Sequence, residues 1–222
     1  MPWTIPNTLT VLRLLAAPGV AVMFLYFARP WADWFAMLLF VGAAITDYFD
    51  GYLARLWKQE SRFGAMLDPI ADKAMVVIAL LVLTGFSGMD PWILLPATVI
   101  IFREIFVSGL REFLGDQAKA LQVTKLAKYK TALQMTAMTF LFAKGIFQHE
   151  VFDRTYGMGY ELADKVLRGE APDEVGITFY VWASDATWWV GTVLLWIAAA
   201  LTLWTGVQYF QKSVPFFRED AA

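Results

Sequence analysis

Asp47, Asp50, Asp68 and Asp72 are the residues of this chain most able to do chemistry, and their gaps are helical. Residues three or four apart lie on one side of a helix. Asp47, Asp50, Gly51 and Ala54 therefore form one stripe, and Gly64, Asp68 and Asp72 form another on the helix that follows. The surrounding sequence is strongly apolar. A carboxylate at a bilayer centre costs roughly 2.5–3.5 kcal/mol on insertion scales, and clustered carboxylates also repel. Hard divalent cations with oxygen ligands would neutralise such a set. Two metals about 4 Å apart can bridge a diphosphate, polarise phosphorus and stabilise a leaving oxygen. A carboxylate at the edge of the set can take a proton from an attacking hydroxyl. Phosphoryl or phosphatidyl transfer is the chemistry that uses this arrangement, and the fork of Arg55, beside Ala54, can grip a phosphate. The competing reading is structural: one or two of the acids pair with Arg55, Lys73 or Arg103.

Gly51 and Gly64 fall on the same faces as the acids. A helical glycine costs about 1 kcal/mol relative to alanine, and close approach of a ligand or a second helix would offset it. Transmembrane helices also use small residues merely to pack, so each glycine alone is weak evidence.

The elements that must position these residues are membrane helices. The chain of 222 residues is 59% hydrophobic and 17% charged, with mean hydropathy +0.52; soluble domains average roughly 45–50% and about 25%. Six apolar spans of about the length a bilayer needs are read at Leu9–Phe27, Trp34–Leu53, Asp68–Phe86, Trp92–Leu110, Leu126–Phe147 and Trp188–Phe210. The expected fold is all-α, a single membrane domain over residues 1–222 without a cleavable signal peptide. Trp31, Trp34, Trp92, Trp188 and Trp189 sit where an interfacial aromatic belt would lie. The absence of cysteine excludes disulfides and thiolate chemistry, and the net charge of −2 gives no indication of nucleic-acid binding.

Twelve basic residues, Arg13, Arg55, Lys58 and Arg62 among them, fall on one side of this arrangement and five on the other. The positive-inside rule then places both termini, and the acid-bearing ends of the second and third spans, in the cytoplasm. His149–Thr187 is polar and acidic and is expected as an extracytoplasmic insertion (about 148–187), a loop with one short helix within Arg154–Leu167. His149, the sole histidine, is expected to be a surface residue.

The pattern Asp-x2-Asp-Gly-x2-Ala-Arg-x8-Gly-x3-Asp-x3-Asp at 47–72 resembles the signature of the CDP-alcohol phosphotransferases. That resemblance implies a six-helix membrane enzyme, usually a homodimer, with its active site at the cytoplasmic end of the bundle. It implies two Mg²⁺ or Mn²⁺ ions held by Asp47, Asp50, Asp68 and Asp72, with Asp72 also the proton acceptor. It places Gly51, Ala54, Arg55, Ser61, Gly64 and Asn7 against the CDP-diacylglycerol. Further segments, Ile5–Arg13, Phe102–Ile105, Ser108–Phe113 and Lys125–Ala132, are similar to the bacterial branch of that family whose acceptor is sn-glycerol 3-phosphate. The 148–187 stretch is outside that common pattern. The implied setting is the bacterial cytoplasmic membrane, with membrane lipid as surroundings and substrate source.

A glycerol phosphate dianion needs several cations. Arg103 and Arg111 share a face of the fourth span, and Lys128 and Lys130 open the fifth. Lysines there also serve as cytoplasmic anchors, and Glu104 offers Arg103 a local partner. Two rivals remain open: a sister enzyme acting on inositol phosphate, serine or phosphatidylglycerol, and a cation-coupled transporter, although no inverted repeat is visible.

Overall fold

The computed structural model describes residues 4–57, 61–115, 117 and 125–217, and for 5, 6, 44, 46–57, 62 and 125–128 it describes the backbone alone. Among the described residues the chain is helical. The α-helices are α1 (Ile5–Tyr26), α2 (Trp31–Trp57), α3 (Arg62–Phe86), α4 (Pro91–Leu114), α5 (Lys125–Thr155), α6 (Tyr160–Leu167) and α7 (Ile177–Ser213), followed by a 3-10 turn at Val214–Phe217. The helix starts obey local chemistry. Thr4 caps α1 and Ser61 caps α3, while the Asp90 carboxylate accepts from the Trp92 amide (2.8 Å) to cap α4. Pro91, which has no amide hydrogen to lose, occupies the first turn of α4.

Five of the six apolar spans lie wholly inside a helix; the first overruns α1 by one residue, Phe27, its C-cap. Among the described residues three segments are long and apolar enough to cross a membrane, Asn7–Tyr26, Pro91–Leu114 and Ile177–Phe217. Helices α2 and α3 reach 27 and 25 residues and are as apolar as α4, whereas lysines and other polar side chains dilute α5, which reaches 31. Large apolar side chains such as Leu81, Phe102, Ile105 and Trp204 point outward and are exposed. That inverts the soluble pattern and suits a lipid surround.

The core runs through α1, α2, α3, α4, α5 and α7, with Phe40, Met75, Leu80, Ile100, Phe142 and Leu195 fully enclosed. In lipid, close packing replaces the hydrophobic drive between helices, and small residues permit it. Ala32, Ala36 and Ala43 line the buried side of α2. On α7, a Cβ at Gly191 would stand 2.8 Å from Leu141 Cγ of α5, so glycine there sets the approach of those helices. At the other end of α2, Arg29 grips buried Asp33 with two bonds (2.6 and 2.7 Å). This pair rests on the bare backbone of Gly145 in α5, where a Cβ would collide with both side chains.

The stretch His149–Thr187 differs from the expected long loop. Helix α5 continues to Thr155 and α7 begins at Ile177, so most of it is helical, and the short helix is α6. Polar composition hid this because solvated helix extensions need no apolar stripe. Arg154 ties the extensions together: it donates to the Val175 carbonyl and the Tyr180 hydroxyl (2.8 Å each), with its guanidinium 4.0 Å from the Tyr180 ring centre. His149 lies on α5, its Nδ1 3.1 Å from Asp153.

Candidate active site

Helices α1 and α3 pack side by side and run the same way, and their facing residues form a polar ladder. Asn7, Thr10 and Arg13 follow the three-residue helical spacing on α1; Gly64, Asp68 and Asp72 follow the four-residue spacing on α3. At the first rung the Ser61 hydroxyl donates to Asn7 Oδ1 (2.8 Å) and accepts from the Gly64 amide (3.0 Å). A Cβ on Gly64 would stand 2.6 Å from Asn7 Oδ1 and 3.3 Å from Ser61 Oγ. Glycine is required there for helix approach. At the second rung the Thr10 hydroxyl donates to Asp68 Oδ1 at 2.6 Å. At the third, Arg13 donates to Asp72 Oδ1 at 3.1 Å, and its other terminal nitrogen is 3.8 Å from Asp68 Oδ1.

The Arg13 side chain is only 7% exposed, whereas those of Asp68 and Asp72 are 52% and 34% exposed. The carboxylates thus stand at an opening and the guanidinium lies behind them. Asp47 and Asp50, with Gly51, Ala54 and Arg55, lie on the helical backbone of α2, and their side chains fall outside the described residues. Among the described residues no three acidic, histidine or cysteine groups gather around one point; Asp47 and Asp50, half of the expected set, are outside those whose side chains are described. The half that is described fits a hard divalent cation: anionic oxygens one helical turn apart, accessible, and backed by hydrogen-bond donors.

The structural alternative named Arg55, Lys73 and Arg103 as partners of the acids. Lys73 instead donates to the Ser108 hydroxyl (2.5 Å), which donates to the Glu104 carbonyl (2.6 Å). Arg103 donates to Glu104 (3.2 Å) and to Thr205 of α7 (3.3 Å). Arg13, placed from sequence among the cytoplasmic-side charges and at the end of the similar segment Ile5–Arg13 but given no role at the acids, is the cation that meets Asp72 among the described residues. Thr10, inside the same similar segment, was likewise given no role.

A second polar cluster lies between α4, α5 and α7. Lys130 bonds the same Glu104 oxygen that Arg103 reaches, and all three side chains are largely buried. Two cations on one carboxylate leave a net positive cluster. Helix α7 makes room for it: a Cβ on Gly206 would be 2.9 Å from Arg103 Cγ. Eight residues along α4, the Arg111 guanidinium lies 5.3 Å from the Tyr209 ring centre, an attractive cation–π distance. Arg103 and Arg111 therefore both face α7. Lys128 lies on the described backbone of α5, its side chain outside the description. Glu104 is the partner the sequence offered Arg103, now shared with Lys130; Thr205, Gly206 and Tyr209 of α7 are the members that sequence reasoning did not assign, and small and polar residues recurring on an apolar helix were the available signal.

The chain matches the family model described as CDP-alcohol phosphatidyltransferase over residues 3–204. It is 62% identical over 221 residues, 99% of this chain and 100% of the relative, to a Cereibacter sphaeroides protein named CDP-diacylglycerol–glycerol-3-phosphate 3-phosphatidyltransferase. Proteins of that name from Salmonella choleraesuis and Shigella flexneri are 35% identical over 215 residues, covering 96% of this chain and of each relative. The acid pattern along α2 and α3 and a match spanning nearly the whole chain lead to one conclusion: the chain belongs to the CDP-alcohol phosphatidyltransferase family.

Proposed function

We propose that this chain transfers the phosphatidyl group of CDP-diacylglycerol to sn-glycerol 3-phosphate, giving phosphatidylglycerol phosphate and CMP. The observation that carries this reading is the identity of 62% with a relative of that name along 99% of the chain. In this reading α1, α2, α3, α4, α5 and α7 are six crossings of a bacterial cytoplasmic membrane. Both termini and the Asp68–Asp72 end of α3 are cytoplasmic, residues 148–187 extend from the outer face, and the single domain pairs as a homodimer.

Asp47, Asp50, Asp68 and Asp72 would hold two Mg²⁺ or Mn²⁺ ions. Bound there, such ions neutralise a diphosphate and the charge that develops on the departing phosphate oxygen. The remaining steps belong to the chain. Asn7, Ser61 and Gly64 at the joined starts of α1 and α3, with Gly51, Ala54 and Arg55 of α2, hold the CDP end of the lipid while the acyl chains stay in the bilayer. Arg103 and Arg111, with Lys128 and Lys130 beside them, draw the acceptor phosphate toward α4. Asp72 takes the proton of the acceptor's primary hydroxyl, that oxygen bonds to the β-phosphorus in line, and the bond from that phosphorus to CMP breaks. Arg13 and Thr10 keep the α3 carboxylates oriented meanwhile. Asp72 is adjacent to Lys73, whose link through Ser108 to Glu104 joins the carboxylate helix to the basic cluster.

The test is CMP release from CDP-diacylglycerol by purified protein offered glycerol 3-phosphate, inositol phosphate, serine or phosphatidylglycerol. Turnover with glycerol 3-phosphate alone is expected. Preference for another acceptor would move the chain to a sister activity, and no CMP release with any acceptor would remove the transferase reading.

A further inference from the structure

The α1 side of the ladder raises a question of charge. Arg13 is enclosed by the bundle, and its guanidinium contacts both α3 carboxylates rather than a single partner, at 3.1 Å and 3.8 Å. Thr10 steadies Asp68 from the same helix at 2.6 Å. Guanidinium is a fixed positive charge with no acceptor to offer, so the α3 acids have a cation of the chain itself beside them.

We propose that Arg13 is the resident counter-cation of the carboxylate site. It holds Asp68 and Asp72 together when no divalent ion is bound, and divalent ions enter by competing with it for their charge. Cation binding is then an exchange against an internal guanidinium, not the filling of a bare anionic pocket. This rests on the reading of the aspartates as cation ligands. Among the described residues one guanidinium stands against the two α3 carboxylates, so a net negative charge remains for ions to bind; Arg13 sets how tightly and keeps the empty site from bursting open by repulsion. Arg13 is thereby a positioning residue for Asp72. A residue that merely clasped α1 to α3 would produce the opposite signature, since its loss would loosen the site and weaken every ligand.

The experiment compares wild type, R13Q and R13K, purified in detergent, by Mn²⁺ binding (loss of the free-ion paramagnetic resonance signal) and by tryptophan-fluorescence melting with and without Mg²⁺. R13Q is expected to bind Mn²⁺ about tenfold more tightly, because a close like charge has been removed. It should also gain a larger Mg²⁺-dependent rise in Tm, as linkage requires, while kcat falls. R13K keeps the charge and should stay within about threefold of the wild-type affinity. Equal or weaker Mn²⁺ binding by R13Q overturns the proposal, as does R13K tightening as much as R13Q. If R13Q denatures without cation, recovery by Mg²⁺ but not by Na⁺ at equal ionic strength supports the same conclusion, and no recovery refutes it. Wild type and D68N that both fail to bind Mn²⁺ would instead remove the metal reading, and this inference with it.

Discussion

Replacing Gly64 with alanine should damage the enzyme although it improves the helix. In isolation the substitution gains about 1 kcal/mol of helix propensity. In the fold its Cβ would stand 2.6 Å from Asn7 Oδ1, well inside contact distance. Asn7 is 4% exposed, so its side chain can swing aside only by giving up the Ser61 bond of 2.8 Å. A buried acceptor left without a donor costs about 1–3 kcal/mol, and overpacking a tight contact costs a similar amount. The net expectation is destabilisation of roughly 1–4 kcal/mol after the propensity gain. If α1 instead yields, Thr10 and Arg13 shift relative to Asp68 and Asp72, and a misplacement of about 1 Å at a catalytic group is worth about a hundredfold in rate. The assay is CMP release at saturating substrates beside Tm from intrinsic tryptophan fluorescence, for which the chain supplies ten tryptophans. Gly42→Ala is the control: it is also helical, nothing among the described residues lies within 4 Å of its Cβ, and it should leave kcat unchanged. A G64A protein as stable and as fast as the Gly42 variant would refute the claim that α1 and α3 are locked at this rung.

Asp→Asn at 47, 50, 68 or 72 should each lower the rate by orders of magnitude with the protein still in the membrane, and EDTA should abolish activity until Mg²⁺ or Mn²⁺ is returned; full turnover in excess chelator would end the two-metal mechanism. Arg103→Ala and Arg111→Ala should raise KM for glycerol 3-phosphate about 10- to 150-fold, the value of a charge-assisted hydrogen bond, with little change for CDP-diacylglycerol. Equal loss for both substrates would make these arginines structural partners of Glu104 and Tyr209. For topology, cysteine at exposed Tyr160 should react with an impermeant maleimide in intact cells and cysteine at exposed Gln117 should not; the reverse labelling would invert the orientation. Asp173 accepts from the Ile177 and Thr178 amides at 2.9 and 3.0 Å, and these bonds to Thr178 and Ile177 hold its carboxyl below the usual range. Its contribution is present above the ordinary carboxylate pKa and disappears as pH falls through the lowered one, so Asp173→Ala should speed hydrogen exchange at the start of α7 at neutral pH but not in strong acid.

Hydropathy and spacing, both local properties, were enough to determine the helical class, the apolar stretch of each long helix among the described residues and the helical spacing of Asp47 with Asp50 and of Asp68 with Asp72. A helix of about twenty apolar residues satisfies its own backbone, so no distant information is needed to place it. The acid motif is legible for the same reason, since its gaps are set by the geometry of one helix at a time. The sequence also pointed to Asn7, Ser61 and Gly64 through resemblance, but without their relation to one another. What covers the acids is a different matter. Arg13 meets Asp72 across 59 residues of chain and Thr10 meets Asp68 across 58; which cation closes on which carboxylate depends on how two helices pack and rotate, which no periodicity encodes. The same holds for Glu104, claimed by both Arg103 and Lys130, and for Gly206, whose missing side chain admits the Arg103 stem from another helix. The helical character of residues 148–155 and 177–187 also emerged only in the fold. There α5 and α7 support each other beyond their apolar stretches through Arg154, a tertiary contact that overrides the loop-like composition.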